Sequence, residues 1–159
     1  MKIWLCDLTY TQQTIASDVM PAAIGMIAEY AIQEVPEITE MQLFKYPEDL
    51  TKAFDGQKPD IIGFSNYVWN SSLSLSFASE IKKRHPDVII VFGGPNFPLA
   101  SDEQEAVLRS MRYVDFYVSK EAERGFAELV QALNVVGFDK SKITNDVANL
   151  VYLDANDNL

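Results

Sequence analysis

Two short apolar segments separated by a helical pattern constrain the fold of this 159-residue chain more than any other feature. The segments cover residues 60–65 and 88–92, and their length and composition are typical of buried β-strands. Between them, residues 71–84 carry apolar side chains at the spacing of an α-helix. This order predicts a βαβ unit, in which the two strands are parallel and the crossover is right-handed.

The rest of the chain repeats this alternation. Further strands are predicted at residues 3–8, 38–46 and 114–119, and further helices at residues 22–35, 47–56, 102–111 and 121–133. Asp18 is expected to cap the first helix. The pattern predicts an α/β fold, namely a doubly wound (Rossmann-like or flavodoxin-like) five-stranded parallel sheet with helices on both faces. The strand order 2-1-3-4-5 is expected, with a ligand site where the strands end beside the switch point.

Residues 1–134 are assigned to this domain, and residues 135–159 behave differently. They are polar and mixed, and they end in a predicted strand at residues 149–153 that is followed by turn-forming residues 154–158. A single strand of this kind is marginal without a partner. The expectation is therefore a linker and the start of a hairpin, in a chain cut from a longer polypeptide.

The charge balance limits the partners. The net charge is −10, which argues against nucleic acid or an anionic membrane surface as the main partner. No apolar segment approaches the roughly 18 residues that span a bilayer. Cys6 is the only cysteine and is expected to be a small buried side chain, so a reducing cytoplasm is the expected location. The single histidine, His85, is expected at the surface near a helix end.

Residues that follow the predicted strands are the candidate ligand contacts, because the carboxyl ends of parallel strands meet at one edge. They are Thr9, Tyr10, Thr11, Ser65, Asn66, Tyr67, Gly93, Gly94, Pro95, Asn96, Ser119 and Glu121. Each also has a structural alternative. The glycines and the proline suit a tight turn, the polar residues suit helix caps, and Tyr67 with Trp69 suits core packing. The sequence shows no nucleophile, base or metal-ligand set.

Several of these segments, taken together, carry a resemblance. Residues 59–70, residues 91–95, and residues 114–118 with Glu121 and Glu123 occur in an order and spacing that resembles the N-terminal cobalamin-binding domain of B12-dependent radical SAM enzymes. Residues 149–154 resemble the hairpin that leads into the radical SAM barrel. The resemblance implies that the Gly93–Gly94–Pro95 loop admits the dimethylbenzimidazole tail of a corrinoid, with Ser65 and Asn66 near its nucleotide. It implies that the cofactor is cobalamin and the partner is the chain's own C-terminal radical SAM domain.

Two departures from related motifs accompany the resemblance. The loop after the first strand has no histidine, whereas the Asp-x-His-x-x-Gly motif of cobalamin mutases supplies a cobalt ligand there. The usual Gly-Glu-Gly-Glu after the fifth strand is replaced by Lys120, Glu121, Ala122 and Glu123, so close backbone approach to a ligand is less favoured. The Cys-x3-Cys-x2-Cys motif of a 4Fe-4S cluster is absent, so S-adenosylmethionine and the cluster are expected only in the missing domain. The chain by itself is expected to be non-catalytic.

Three other functions remain open from the sequence. The first is a structural module that docks the barrel without a cofactor. The second is a flavodoxin-like FMN binder, since residues 9–14 partly imitate a threonine-rich phosphate loop. The third is a receiver-like domain, which needs an acceptor aspartate where this chain has Ser65. The main expectation is a cobalamin-binding module of a methyltransferase-type radical SAM enzyme.

Overall fold

A computed structural model describes residues 1–12, 19–144, 146–154 and 158–159 of the chain, so the predicted cap Asp18 and the turn residues 155–157 lie outside the described residues. The strands are β1 (Lys2–Cys6), β2 (Glu40–Phe44), β3 (Ile61–Ser65), β4 (Ile89–Gly93), β5 (Phe116–Val118) and β6 (Leu150–Val151). The helices are α1 (Ala22–Glu34), α2 (Pro47–Phe54), α3 (Ser71–Arg84), α4 (Ser101–Ser110) and α5 (Ala122–Val135), with a 3-10 turn at Lys140–Lys142. Among the described residues, no helix is long and apolar enough to cross a bilayer.

The strands form one sheet in the order β2-β1-β3-β4-β5-β6. The first five strands are parallel, which confirms the predicted doubly wound α/β fold and its order. The number of strands was wrong, because β6 pairs antiparallel with β5 and makes a sixth. The predicted strand at residues 149–153 corresponds to β6, which pairs with the edge of the sheet formed by β5.

The segment before β6 is attached closely to α5. A Cβ on Gly125 would lie 2.3 Å from the carbonyl oxygen of Ala148, so only glycine lets the helix and this segment approach so far. The backbone N–H of Ala148 donates to Glu128 Oε2 at 2.8 Å. Residues 146–151 are therefore packed on the domain.

Alternating side chains give the sheet two different faces. One face, here called the α1/α5 face, carries an aliphatic layer that is covered by α1 and α5 and includes Ile3, Leu5, Ile61, Val91 and Val118. The other, here called the three-helix face, is covered by α2, α3 and α4 and includes Trp4, Phe64, Phe92 and Tyr117. Burial on both faces explains why the central strands read as continuous apolar runs.

The two residues with special side-chain chemistry, Cys6 and His85, lie in different places, Cys6 at the end of β1 and His85 after α3. Cys6 is buried in β1, as predicted, and its burial raises the pKa of the thiol well above the usual value. His85 follows the last residue of α3 and is stacked on Phe54, with ring centroids 5.6 Å apart. The end of α3 leads into the amino end of β4, so His85 is at the opposite edge from the carboxyl ends of the strands.

Candidate ligand site at the carboxyl edge of the sheet

A cavity of about 350 Å³ opens at the carboxyl edge of the sheet on the α1/α5 face. Its base is formed by β1, β3, β4 and β5, and its sides by the first turns of α1 and α5. The lining from the strands and helices is mostly apolar and includes Leu5, Ile24, Ile27, Val91, Val118 and Phe126. Sites for small molecules in proteins have volumes from about 300 Å³ upward and a similar apolar character. The cavity therefore suits an apolar, ring-sized group.

Two glycines keep this cavity open. A Cβ on Gly63, in the middle of β3, would lie 2.6 Å from Leu5 Cδ2. A Cβ on Gly93, at the end of β4, would lie 3.2 Å from the carbonyl oxygen of Val118. Gly93 was among the predicted contacts, whereas Gly63 was missed. Its signal was a glycine inside an otherwise apolar strand, which often marks close approach by another group.

The loop after β4 packs closely against the residue that follows β3 and is hydrogen-bonded to it. Gly94 has φ +122°, and a Cβ there would lie 2.8 Å from the carbonyl oxygen of Asn66, so both strain and space favour glycine. The buried Asn66 amide Nδ2 donates to the Asn96 carbonyl at 3.0 Å and to Tyr117 Oη at 3.2 Å. Tyr117 Oη in turn donates to the Gly94 carbonyl at 2.8 Å, and burial raises its pKa to about 12. Asn66 and Asn96 thus support the cavity wall at Gly94 without lining the cavity themselves.

A second polar network lies between β1 and β3, at the switch point. Ser65 Oγ donates to Asp7 Oδ1, and Asn70 Nδ2 donates to both Ser65 Oγ at 3.2 Å and Asp7 Oδ1 at 3.3 Å. Asn70 Oδ1 accepts the Tyr67 backbone N–H at 2.8 Å. Ser65 also lines the cavity. Because its proton is already donated, the hydroxyl can offer a ligand only its remaining lone pair. Asp7 and Asn70 were not predicted as contacts.

Residues 9–11, in the described part of the loop after β1, lie beside the start of α2 and do not line the cavity. The Thr9 backbone N–H donates to the Lys45 carbonyl at 3.1 Å, and Thr11 Oγ1 donates to Glu48 Oε1 at 2.5 Å. Tyr10 lies between them and does not line the cavity. Residues 13 and 14 of the threonine-rich segment lie outside the described residues. The FMN hypothesis needs a helix that begins at this loop, and the first helix among the described residues, α1, begins at Ala22. A phosphate bound by these threonines would therefore not meet the amino end of α1.

An aromatic pair stands at the rim of the cavity. Tyr67 and Trp69 are stacked with ring centroids 4.5 Å apart and an interplanar angle of 7°. Tyr67 lines the cavity, while Trp69 is 64% exposed and is not part of the core. The core-packing alternative for Trp69 is therefore excluded, and the pair offers a flat apolar surface beside the cavity mouth.

The loop after β5 forms the opposite side of the mouth. Ser119 Oγ donates to the Asn149 carbonyl at 3.0 Å and points away from the cavity lining. Lys120, Glu121 and Glu123 do line it. Lys120 has φ 58°, the left-handed conformation that glycine adopts most easily. The chain therefore keeps a glycine-like turn here with a lysine in place of the expected glycine.

The structure brings together about half of the predicted contacts. Those lining the cavity are Ser65, Tyr67, Gly93, Gly94, Pro95 and Glu121. Those in neighbouring loops are Thr9, Tyr10, Thr11, Asn66, Asn96 and Ser119. The second group includes both residues that support the wall, so its members act on the cavity indirectly or lie beside it.

Comparison with known proteins identifies the family. The chain is 31% identical over 116 residues to 2-(S-pantetheinyl)-carbapenam-3-carboxylate methyltransferase of Streptantibioticus cattleyicolor, and 32% identical over 116 residues to the cobalamin-dependent radical SAM methyltransferase TokK of Streptomyces tokunonensis. Each match covers 70% of this chain and 16% of the relative, so the chain corresponds to a small part of those proteins.

Solved structures show the same fold. The cobalamin-dependent S-adenosylmethionine radical enzyme OxsB, solved with aqua-cobalamin and S-adenosylmethionine bound, matches 99% of this chain with a TM-score of 0.70 at 18% identity, over 21% of its own chain. The structure of OxsB with aqua-cobalamin alone matches equally well, with a TM-score of 0.70 at 19% identity. The family model described as the B12 binding domain matches residues 11–130, which include the cavity-lining residues except Leu5 and the whole of the network around Asn66 and Tyr117. This chain therefore belongs to the B12-binding domain family.

Proposed function

We propose that this chain binds cobalamin with the nucleotide tail of the cofactor in the cavity between the first turns of α1 and α5. The observation that carries the proposal is an apolar cavity of about 350 Å³ whose floor is kept free by Gly63 and Gly93. Membership of the B12-binding domain family supports the same cofactor. One relative of this chain, TokK, is a cobalamin-dependent radical SAM methyltransferase.

The residues present fit the chemistry of that tail. Dimethylbenzimidazole is flat and largely apolar, so it needs a slot in which the backbone is not covered by side chains. A Cβ on Gly63 or Gly93 would enter the space beside Leu5 or Val118, and so would narrow such a slot. Ser65 offers a lone pair to a donor on the cofactor, such as a ribose hydroxyl. When bound, cobalamin supplies a cobalt centre that can carry a methyl group.

The chain offers no imidazole to the cobalt. Its single histidine, His85, follows α3 at the opposite edge of the sheet and is stacked on Phe54. The loop after β1 carries Thr9 where a cobalt-ligating histidine is found in cobalamin mutases, and that loop turns toward α2. The stacked Tyr67 and Trp69 instead provide an aromatic surface at the rim for the face of the corrin ring.

In the intact protein, we propose that residues 135–159 lead to a radical SAM domain that holds S-adenosylmethionine and a 4Fe-4S cluster. The curated relatives support this, since the chain spans only 16% of their length and one is described as a radical SAM methyltransferase. The proposed reaction of the whole protein is methyl transfer, and this chain would hold the corrinoid without catalysing a step alone. The proposed location is the cytoplasm.

The test is a titration of the chain with hydroxocobalamin, followed by absorbance and by calorimetry. The matched variants are Ala23→Trp and Ala22→Trp, because both alanines are exposed in the first turn of α1 but only Ala23 lines the cavity. Saturable binding that Ala23→Trp abolishes and Ala22→Trp leaves unchanged supports the proposal. The absence of binding by the folded wild-type chain would contradict it and would leave the docking-module hypothesis.

A further inference from the structure

We propose that the Lys120 ammonium group binds the phosphodiester of the cobalamin nucleotide tail at the mouth of the cavity. This inference rests on the proposed function, because it assigns a partner to one group of that cofactor. The tail carries a single negative charge on its phosphodiester, between the apolar base and the corrin ring. A base inserted into the cavity therefore brings an anion to the region of its mouth.

Lys120 is the one cation among the described residues that line this cavity. Within the described part of the chain, its ammonium makes no hydrogen bond and no ion pair. Glu121 and Glu123 line the same mouth, and neither carboxylate pairs with it. The mouth thus combines an available ammonium with two carboxylates that would repel the phosphodiester. A contact with Lys120 would offset that repulsion and add a charge-assisted hydrogen bond.

The backbone around Lys120 is held from both sides by one residue. The Asn149 carbonyl accepts the Ser119 backbone N–H at 2.8 Å and Ser119 Oγ at 3.0 Å. The Asn149 side-chain Nδ2 donates to the Glu121 carbonyl at 3.0 Å. Lys120, between these two anchors, has φ 58°. The loop therefore keeps Lys120 in a fixed left-handed turn at the mouth instead of leaving it on a mobile surface.

This conformation is strained in a way that a glycine would avoid. A left-handed backbone brings the Cβ of a residue close to its own backbone, whereas glycine adopts this conformation freely. Strain of this kind is found preferentially where a side chain is needed for function. The residue in this strained conformation, Lys120, carries a long cationic side chain beside the cavity.

The experiment compares two corrinoids on matched variants. Cobalamin carries the nucleotide and its phosphodiester, whereas cobinamide lacks both. The variants are Lys120→Met, which removes the charge; Lys120→Arg, which keeps it; and Lys120→Gly, which removes both the charge and the strain. Lys52→Met is the control, since Lys52 is an exposed lysine at the end of α2 that does not line the cavity. Dissociation constants are measured by calorimetry at 0.05 M and 0.5 M sodium chloride.

We expect Lys120→Met and Lys120→Gly to weaken cobalamin binding about three- to tenfold at low salt, which is the range for an accessible charge-assisted contact. Lys120→Arg and Lys52→Met stay within about twofold of the wild type. The difference shrinks at high salt, because screening weakens an exposed ion pair. Cobinamide binding is the same in every variant. Lys120→Gly also raises the stability of the chain, so its weaker binding cannot come from misfolding.

Two results would overturn the inference while leaving the proposed function intact. One is cobalamin binding that is unchanged in Lys120→Met. The other is an equal loss for cobalamin and cobinamide, which would place the effect outside the phosphodiester. Where cobinamide binds too weakly to measure, a loss that does not depend on salt overturns the inference in the same way. A wild-type chain that binds no cobalamin overturns both proposals.

Discussion

The two faces of the sheet differ most at its carboxyl edge, although they share the same strands. On the three-helix face, Phe64 and Phe92 fill the space at the ends of β3 and β4, with ring centroids 5.4 Å apart. On the α1/α5 face, the neighbouring positions are Gly63 and Gly93, and a cavity takes the place of side chains. One face therefore stabilises the domain, and the other leaves room for a ligand.

The comparison predicts that substitutions on the filled face act on stability, whereas substitutions on the hollow face act on binding. Four predictions test this division, ordered by the expected change in the free energy of unfolding. Each is measured by urea denaturation, with cobalamin affinity measured under conditions in which the variant is folded.

The largest effect is expected for Trp4→Ala on the filled face. Trp4 is fully buried and packs on Phe44 and Phe54, with ring centroids 5.1 Å and 4.8 Å away. Removing so large a buried side chain leaves a void and lowers the free energy of unfolding by about 3 to 5 kcal/mol. Trp4→Phe is the milder control. Cobalamin affinity of the folded variant should be unchanged, and a large loss would contradict the division of roles.

The second effect is expected for Gly63→Ile on the hollow face. The new Cβ would meet Leu5 Cδ2, which is the end of a flexible side chain and can move, so the cost is about 1 to 3 kcal/mol. Because the added side chain occupies the floor of the cavity, cobalamin binding should be lost. Gly56→Ala is the matched control, since a Cβ there meets nothing within 4 Å. Retained binding in Gly63→Ile would exclude this cavity as the site.

The third effect is expected for Tyr117→Phe, which links the filled face to the cavity wall. Loss of the hydroxyl removes its hydrogen bond to the Gly94 carbonyl and costs about 1 kcal/mol at neutral pH.

The same substitution has a pH signature. Burial raises the pKa of Tyr117 from about 10 in the unfolded chain to about 12 in the folded chain. Between these values the unfolded chain releases the proton and the folded chain keeps it, so the wild type loses stability as the pH rises from 10 to 12. The loss is up to about 1.4 kcal/mol per pH unit. Tyr117→Phe has no phenolic proton at this position, so it should lose less stability than the wild type between pH 10 and pH 12. Curves of unfolding free energy against pH that run parallel for the two proteins would contradict the raised pKa of Tyr117.

The smallest effect on stability is expected for Trp69→Ala at the rim. Trp69 is 64% exposed and stacks on Tyr67, so the free energy of unfolding should fall by less than about 1 kcal/mol. We expect cobalamin affinity to fall about two- to fivefold, because the flat surface at the mouth is reduced. Trp69→Phe should restore most of it. A loss of stability as large as that of Trp4→Ala would place Trp69 in the core.

The alternation of strands and helices, the parallel pairing of five strands and their order could all be predicted from the sequence. These features follow from local periodicity and from the rules of βαβ connections, which need no knowledge of distant contacts. The same rules predicted a ligand site at the carboxyl edge, where the structure has a cavity lined by Ser65, Gly93 and Gly94. The absence of a histidine from the loop after β1 also followed from the sequence alone.

Other features depend on residues that are far apart in the chain, so only the tertiary structure decided them. A strand was predicted at residues 149–153, but its pairing was not, because that pairing depends on the edge of the sheet formed by β5. Leu5 packs against Gly63 although the two residues are far apart in the chain, and the turn at Lys120 is held by Asn149, which bonds to the residues on both sides of it. Local sequence determines which elements form, while the space between them depends on how distant side chains meet.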